Sequence, residues 1–354
     1  MSYLDKFYQI TEPLIGVDIG YQSLKIVQLN RNAYPPKLMA FNSAPIPVKS
    51  MTTPSADHSE KIAEIILKCM HEARPRQIRG KYVVSGLPES RVFTKIINVP
   101  IIGAKEMEIA IPHEASKHIP LPLDDIYLDY QPLNLKDDKT ESVLIVAAPK
   151  KLVERYIKVI QLTGFQPIAL ETKPIAAGRS LILPGENEPT LIVDIGAEAA
   201  GISVFDQGTL KFTYTIAHGG YTFTKAIGNF LKINFDKAEK IKRSAGISPK
   251  SQYGDLSQAL EPILADILEE ISNAIKFYEK RSQPTRRITN LRLCGGGANT
   301  KGLAEFIYKN MPQKIKVVIG NPLVNLNQRS ARRLPPQEIL HFTTAIGLAL
   351  REKY

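Results

Sequence analysis

The pattern of apolar and polar positions divides the chain into two stretches that begin alike. Residues 14–20 read Leu-Ile-Gly-Val-Asp-Ile-Gly, and Ser-Leu-Lys-Ile-Val-Gln-Leu follows at 23–29. An apolar run closed by Asp-x-Gly, then a second run with Leu24, Ile26, Val27 and Leu29 apolar, predicts two strands joined by a tight turn. The pattern returns at 190–196 as Thr-Leu-Ile-Val-Asp-Ile-Gly, with a matching second run at 201–210. A repeated hairpin far along the chain predicts two similar halves rather than a short-period solenoid.

Between the hairpins, residues 35–54 are proline-rich and polar and predict a loop. Ile62, Ile65, Ile66, Cys69 and Met70 form one stripe of a helix over 59–72. A buried strand is expected at 82–88. Residues 92–165 form a module of their own. It runs as a strand at 92–100, a helix in at least the second half of 105–119, strands at 127–135 and 142–149, and a helix ended by Gly164. Pro112 is expected to break or kink the first of these helices. This order predicts a small α+β unit inserted into a larger α/β domain. After the second hairpin come Gly219-Gly220, a basic helical segment at 235–246 and a strong helix at 260–281. Strand, glycine loop and helix follow at 291–303, and a short apolar helix lies near 341–352.

Composition narrows the function classes. With 354 residues the chain is long enough for two domains. No apolar run approaches the roughly 20 residues that span a bilayer. The first residues lack a basic stretch followed by an apolar core, so a secretory signal is not expected. Cys69 and Cys294 are the only cysteines, with no CxxC and no His/Cys cluster, which argues against a disulfide framework or a structural zinc site and fits a reducing, cytoplasmic compartment. The net charge of +11 suits acidic or anionic partners. Its cations are spread out, however, with local concentrations at Lys237–Lys250, Lys280–Arg287 and Arg329–Arg333. None is interleaved with aromatics as a strand-binding platform requires, so no nucleic-acid partner is expected.

Four groups carry candidate chemistry. Asp18-Ile19-Gly20, with Ser23 and Lys25, offers a strand-end carboxylate, a turn whose backbone can approach a phosphate, and a point charge for it. Asp18 is suited to hold Mg²⁺ through water, because that ion dehydrates reluctantly. Asp194-Ile195-Gly196, with the turn from Ala197 to Gly201, has the same form. Gly295-Gly296-Gly297-Ala298-Asn299, after Cys294, fits neither GxGxxG nor GxxxxGK[ST], but its bare backbone suits a flat ligand. Glu239 and Lys242 are three apart on one helix face, where they either grip a ribose or form a surface ion pair.

Taken together, the two hairpins, the Ala-Glu-x-x-Lys helix, the glycine loop and the terminal apolar helix follow the order of the actin, sugar-kinase and chaperone ATPase superfamily. The inserted module narrows this. Val92–Pro100, then Glu114-Ala115 through Ile119-Pro120-Leu121-Pro122-Leu123, then Ser142–Ala177 resemble the PilM family, actin-like cytoplasmic proteins of type IV pilus assembly and relatives of the division protein FtsA. The resemblance implies an actin-like (ribonuclease H-like) fold. Its first half would comprise 1–91, an inserted subdomain at 92–165, 166–188 and the C-terminal return at 326–354. Its second half would comprise 189–225, a smaller subdomain at 226–286, and 287–325.

It also implies ATP and Mg²⁺ as ligands. Asp18, Gly20, Ser23 and Lys25 would be the first phosphate site, with Tyr21 and Gln22 in its turn. Asp194 and Gly196 would form the second, with Ala197 and Glu198 in its turn. Glu239 and Lys242 would contact the ribose, and Gly295, Gly296, Gly297 and Asn299 the adenosine; Asp18 and Asp194 would hold Mg²⁺ through water. The implied partner is the N-terminal cytoplasmic peptide of a PilN-like inner-membrane protein, taken in a groove beside the inserted module, along with other proteins of the assembly platform and possible self-association. The protein would then sit peripherally at the inner face of the plasma membrane. Two departures bear on activity. Tyr21 and Gln22 stand where the family turn carries small hydroxyl residues, and Ala197, Glu198, Ala199 and Ala200 supply no hydroxyl to the second. A carboxylate at 198 turned inward would repel phosphate, so slow ATP hydrolysis or none is expected. The alternatives are a small-molecule kinase of the same superfamily and an FtsA-like filament former. The kinase lacks a convincing carboxylate base outside the turns. A filament former of that kind would be expected to carry a C-terminal amphipathic anchor, and none is expected between the apolar helix and Tyr354; residues 2–9 are only a faint amphipathic candidate.

Overall fold

The computed structural model describes residues 13–47, 51, 56–136, 139–247, 253–282, 285–312 and 315–351. The amphipathic candidate at 2–9 and the terminus at 352–354 lie outside them. Two five-stranded sheets of the same design make up the two halves. The first contains β1 (Leu14–Ile19), β2 (Ser23–Asn30), β3 (Lys37–Pro45), β4 (Tyr82–Leu87) and β8 (Gln166–Thr172), in the order β3-β2-β1-β4-β8. The second contains β9 (Thr190–Ile195), β10 (Ala200–Asp206), β11 (Thr209–Ile216), β12 (Asn290–Cys294) and β13 (Lys316–Ile319), in the order β11-β10-β9-β12-β13. In each, three antiparallel strands meet two parallel ones at the strand that ends in Asp-x-Gly.

Two loop and strand expectations change. Lys37–Pro45 is a strand and not part of a loop, because Leu38, Ala40 and Phe41 turn into the core. The prolines that suggested a loop are tolerated because β3 lies at the sheet edge. The run at 201–210 is broken at Gln207-Gly208. Both have positive φ (53° and 70°), which closes a tight turn between β10 and β11.

Helices cover the sheets: α1 (Ala56–His71), α2 (Ala104–Ser116), α3 (Lys150–Leu162), α4 (Lys173–Leu181), α5 (Gly220–Leu231), α6 (Phe235–Ala245), α7 (Leu256–Glu279), α8 (Leu303–Asn310), α9 (Gln328–Ala331) and α10 (Thr343–Ala349). The inserted sheet is β5 (Phe93–Pro100), β6 (Ile126–Lys136) and β7 (Thr140–Pro149), ordered β5-β7-β6. Its own core holds Ile97, Val99, Met107, Ile111, Ala115, Val143 and Ile145. The break expected at Pro112 does not occur: α2 runs through it, held by the buried stripe Met107, Ile111 and Ala115. The next helix, α3, buries Tyr156, Val159 and Ile160 in the core of the first half instead.

In the second half, α7 packs on β10 and β11, and its Leu260, Leu264, Ile267, Ile271 and Ile275 share one core with residues of β9, β10 and β12. At the end of the chain α10 returns to the first half, where Ala345, Ile346 and Ala349 join Val27, Leu29 and Phe41. α4 bridges the halves, its Leu181 packing with Ile192, Phe205 and Cys294.

Candidate functional site

The two hairpin turns are built alike. The Gly20 N–H donates to the Ser23 carbonyl at 3.0 Å, and the Gly196 N–H donates to the Ala199 carbonyl at 3.0 Å. A β-carbon on Gly20 would stand 2.8 Å from the Ser23 oxygen, and one on Gly196 2.9 Å from the Ala199 oxygen. Only glycine closes either turn this tightly. Cross-strand partners differ: Asp18 faces Lys25, whereas Asp194 faces Gly201. The lysine therefore belongs to the first turn alone. Gln22 is anchored by its carbonyl, which accepts from the Ile46 N–H at 3.0 Å. Tyr21 reaches toward the other half, where burial first, then Glu198 and Tyr221, push its phenol up.

A residue not expected from the sequence completes the first site. Lys173, the first residue of α4, places Nζ 2.7 Å from Asp18 Oδ1 and 3.3 Å from the Ile19 carbonyl. The sheet explains its position. Thr172 ends β8 beside Leu87 of β4, and Ser85 of β4 pairs with Val17 of β1, so Lys173 emerges at the carboxyl ends of parallel strands. In open α/β sheets that edge is where ligands bind.

Asp18, Lys25, Lys173 and Asp194 form one electrostatic group spanning both halves. Burial pushes the Asp18 carboxyl up, but Lys173 and Lys25 outweigh it and the net shift is down. Burial, followed by repulsion from Asp18, holds Asp194 above the ordinary carboxylate range. Burial lowers Lys25 despite Asp18 and Asp194. Lys173 loses by burial but gains more from Asp18, Tyr156 and Asp194, and ends above its usual range. Two acids and two bases leave the group neutral overall. Tyr156 brings α3 to its edge, and burial drives its phenol to about 12.

On the far side of the second turn, the Gly220 N–H donates to the Gly196 carbonyl and the Tyr221 N–H to the Ala197 carbonyl, both at 2.8 Å. The start of α5 is thus tied to the turn. Lys242 is not a surface residue: it is 8% exposed and donates to the Gly220 carbonyl (2.9 Å), Thr224 Oγ1 (2.7 Å) and Glu239 Oε2 (2.7 Å). Glu239 also accepts from Thr224 and, on Oε1, from Arg243 Nε at 2.7 Å. Thr224 was missed because a threonine in a helix, here one of two with Thr222, carries no periodic signal of its own.

The glycine loop follows β12, whose Cys294 pairs with Asp194. Residues 296–299 make one 3₁₀ turn. Each glycine has a different neighbour. Gly295 has φ of 77°, and a β-carbon there would lie 2.1 Å from Asp194 Oδ1. On Gly297 it would meet Ile195, at 2.2 Å. On Gly296, which is exposed with Asn299, it would meet the ring of His341, at 3.2 Å. His341 precedes α10 and was not anticipated either.

A family model described as "Type IV pilus assembly protein PilM" matches residues 16–353. This chain belongs to the PilM family. The solved "PilM-PilN type IV pilus biogenesis complex" contains a chain 26% identical to this PilM family member; the likeness covers 96% of this chain and 98% of that one, with a TM-score of 0.79. MreB5 of Spiroplasma citri bound to ADP is 13% identical with a TM-score of 0.53 over 95% of both chains and bears on the fold alone. Among curated proteins, the cell division protein FtsA of Buchnera aphidicola subsp. Baizongia pistaciae is 26% identical over 298 residues, 75% of this chain and 69% of its own. FtsA of Neisseria meningitidis serogroup B is 23% identical over 72% of this chain and 63% of its own. No described helix is long and apolar enough to cross a membrane.

Proposed function

We propose that this PilM family member is a nucleotide-binding scaffold of the type IV pilus inner-membrane platform, peripheral to the membrane, that binds the N-terminal peptide of a PilN-like membrane protein and hydrolyses ATP slowly or not at all. The observation that carries this reading is the full-length likeness to the PilM chain of a PilM–PilN complex, inserted module included.

The cleft supports the nucleotide part. Two glycine turns of matched geometry present backbone on either side, and Lys25 and Lys173, balanced here by Asp18 and Asp194, would be left to meet phosphate once Mg²⁺ engaged those carboxylates. Asp18 and Asp194 would hold Mg²⁺ through its waters, and the ion would neutralise phosphate charge. Among the described residues no three acidic, histidine or cysteine side chains gather, so phosphate and water would fill most of the coordination shell. Glu239 and Lys242 stand at the ribose side, with the glycine loop beside the adenosine.

Slow hydrolysis follows from charge. A water attacking phosphate needs a group to orient it or take its proton. Lys173, 2.7 Å from Asp18, helps hold that carboxyl ionised and below its ordinary range, which makes it a weak proton acceptor. The test is titration calorimetry with MgATP and, separately, with a PilN-type N-terminal peptide. Micromolar binding of both, with ATP binding lost in Asp18→Ala and Asp194→Ala, is the expected result. No association with either ligand sinks the proposal.

A further inference from the structure

His341 lies where nothing in the apolar pattern around it requires an imidazole. It sits in the 3₁₀ segment Pro336–Phe342, which leads into α10 and packs on β2 and the glycine loop. The ring rests on the α-carbon face of Gly296, with Cε1, Nδ1 and Nε2 at 3.2, 3.4 and 3.7 Å from the position a β-carbon would take. Its charged neighbours come from both sides of the cleft: Lys25 of β2 in the first half, and Arg243 and Glu239 of α6 in the second. A segment of the first half thus delivers an imidazole between the phosphate turn, the ribose-side helix and the glycine loop.

We propose that His341 is a nucleotide contact of this cleft and that its proton affinity reports nucleotide occupancy. This rests on the nucleotide-binding reading above. Without ligand, burial first, then Lys25 and Arg243, hold the imidazole down to about 4, with Glu239 opposing them, so it enters binding neutral, with one donor and one acceptor nitrogen. A polyphosphate beside Lys25 cancels the repulsion of that cation and adds anionic charge of its own. Both effects favour the imidazolium, and an opposite charge within a few ångströms moves such a group by about one unit or more.

The experiment is NMR of the six histidine rings in the full chain, titrated from pH 3.5 to 8 with and without saturating MgATP. The His341 signal is assigned by its loss in His341→Gln, and ATP binding is checked by calorimetry in the same samples. The expected result is a midpoint raised by about one unit or more in the ATP complex, with affinity in His341→Gln reduced about tenfold. If calorimetry shows ATP binding and the midpoint stays in place, the inference is overturned and the nucleotide reading stands. If ATP does not bind the wild-type chain, both fall.

Discussion

Lys173 Nζ lies 2.7 Å from Asp18 Oδ1, joining the first residue of one helix to the last carboxylate of the first strand. Both side chains are largely buried, at 20% and 8% exposure. Lys173→Met leaves the carboxylate without its closest cation, and breaking such a pair costs about 3–5 kcal/mol. Urea unfolding measures this, and Asp18→Asn in the same chain is expected to recover much of the loss. The pair holds Asp18 below its unfolded value. Its contribution is therefore present above the unfolded pKa and fades as pH falls through the folded one. In Lys173→Met the carboxyl protonates at higher pH, so the deficit is largest at pH 7 and shrinks toward pH 4.

Gly295 backs onto Asp194, and its φ of 77° disfavours any side chain. Gly295→Ala is expected to cost about 2 kcal/mol and to displace the Asp194 carboxylate, weakening MgATP binding at least tenfold. Gly296→Ala would meet the movable His341 ring first, at 3.2 Å, and is expected to cost less than about 1 kcal/mol. Thermal unfolding of the two variants side by side gives the comparison; equal losses would contradict the roles assigned to these glycines.

Glu198 stands in the second turn across from Tyr21. Replacing it by serine removes a carboxylate near the proposed phosphate and supplies a hydroxyl donor. ATP affinity of Glu198→Ser should rise roughly fivefold at low salt, with the gain shrinking as ionic strength rises. Calorimetry at two salt concentrations tests this.

Glu89 follows β4 and faces Thr213 of β11, where the two halves touch beside the inserted sheet. Burial raises its carboxyl to about 7, with the Thr213 bond opposing. The folded chain thus holds a proton that the unfolded chain releases near pH 4.5, so stability falls as pH rises from there through 7. Glu89→Gln removes this dependence. Calorimetric scans should show the variant close to wild type at pH 5 and melting higher at pH 9.

Much of the fold was legible because its signals are local. The Asp-x-Gly hairpins, the helix at 56–71 and the strand and helix order of the inserted module each lie within a short window of regular periodicity. The errors arose where local chemistry was ambiguous. The prolines flanking β3 are the same whether they border a loop or an edge strand, and Pro112 does not show that Met107, Ile111 and Ala115 will hold the helix around it.

By itself, then, the sequence determined that two alike hairpins carry Asp18 and Asp194, that a glycine loop follows a strand, and that a small α+β module is inserted into the first half. Only the tertiary structure decided what those groups touch. It placed Lys173 on Asp18, sank Lys242 among Gly220, Thr224 and Glu239, set Gly295 and Gly297 against β9, and brought His341 to Gly296. Apart from the Glu239–Lys242 pair, these contacts join residues remote along the chain. A lone lysine, threonine or histidine has no periodicity to announce it; its role comes from where parallel strand ends and packed helices bring it.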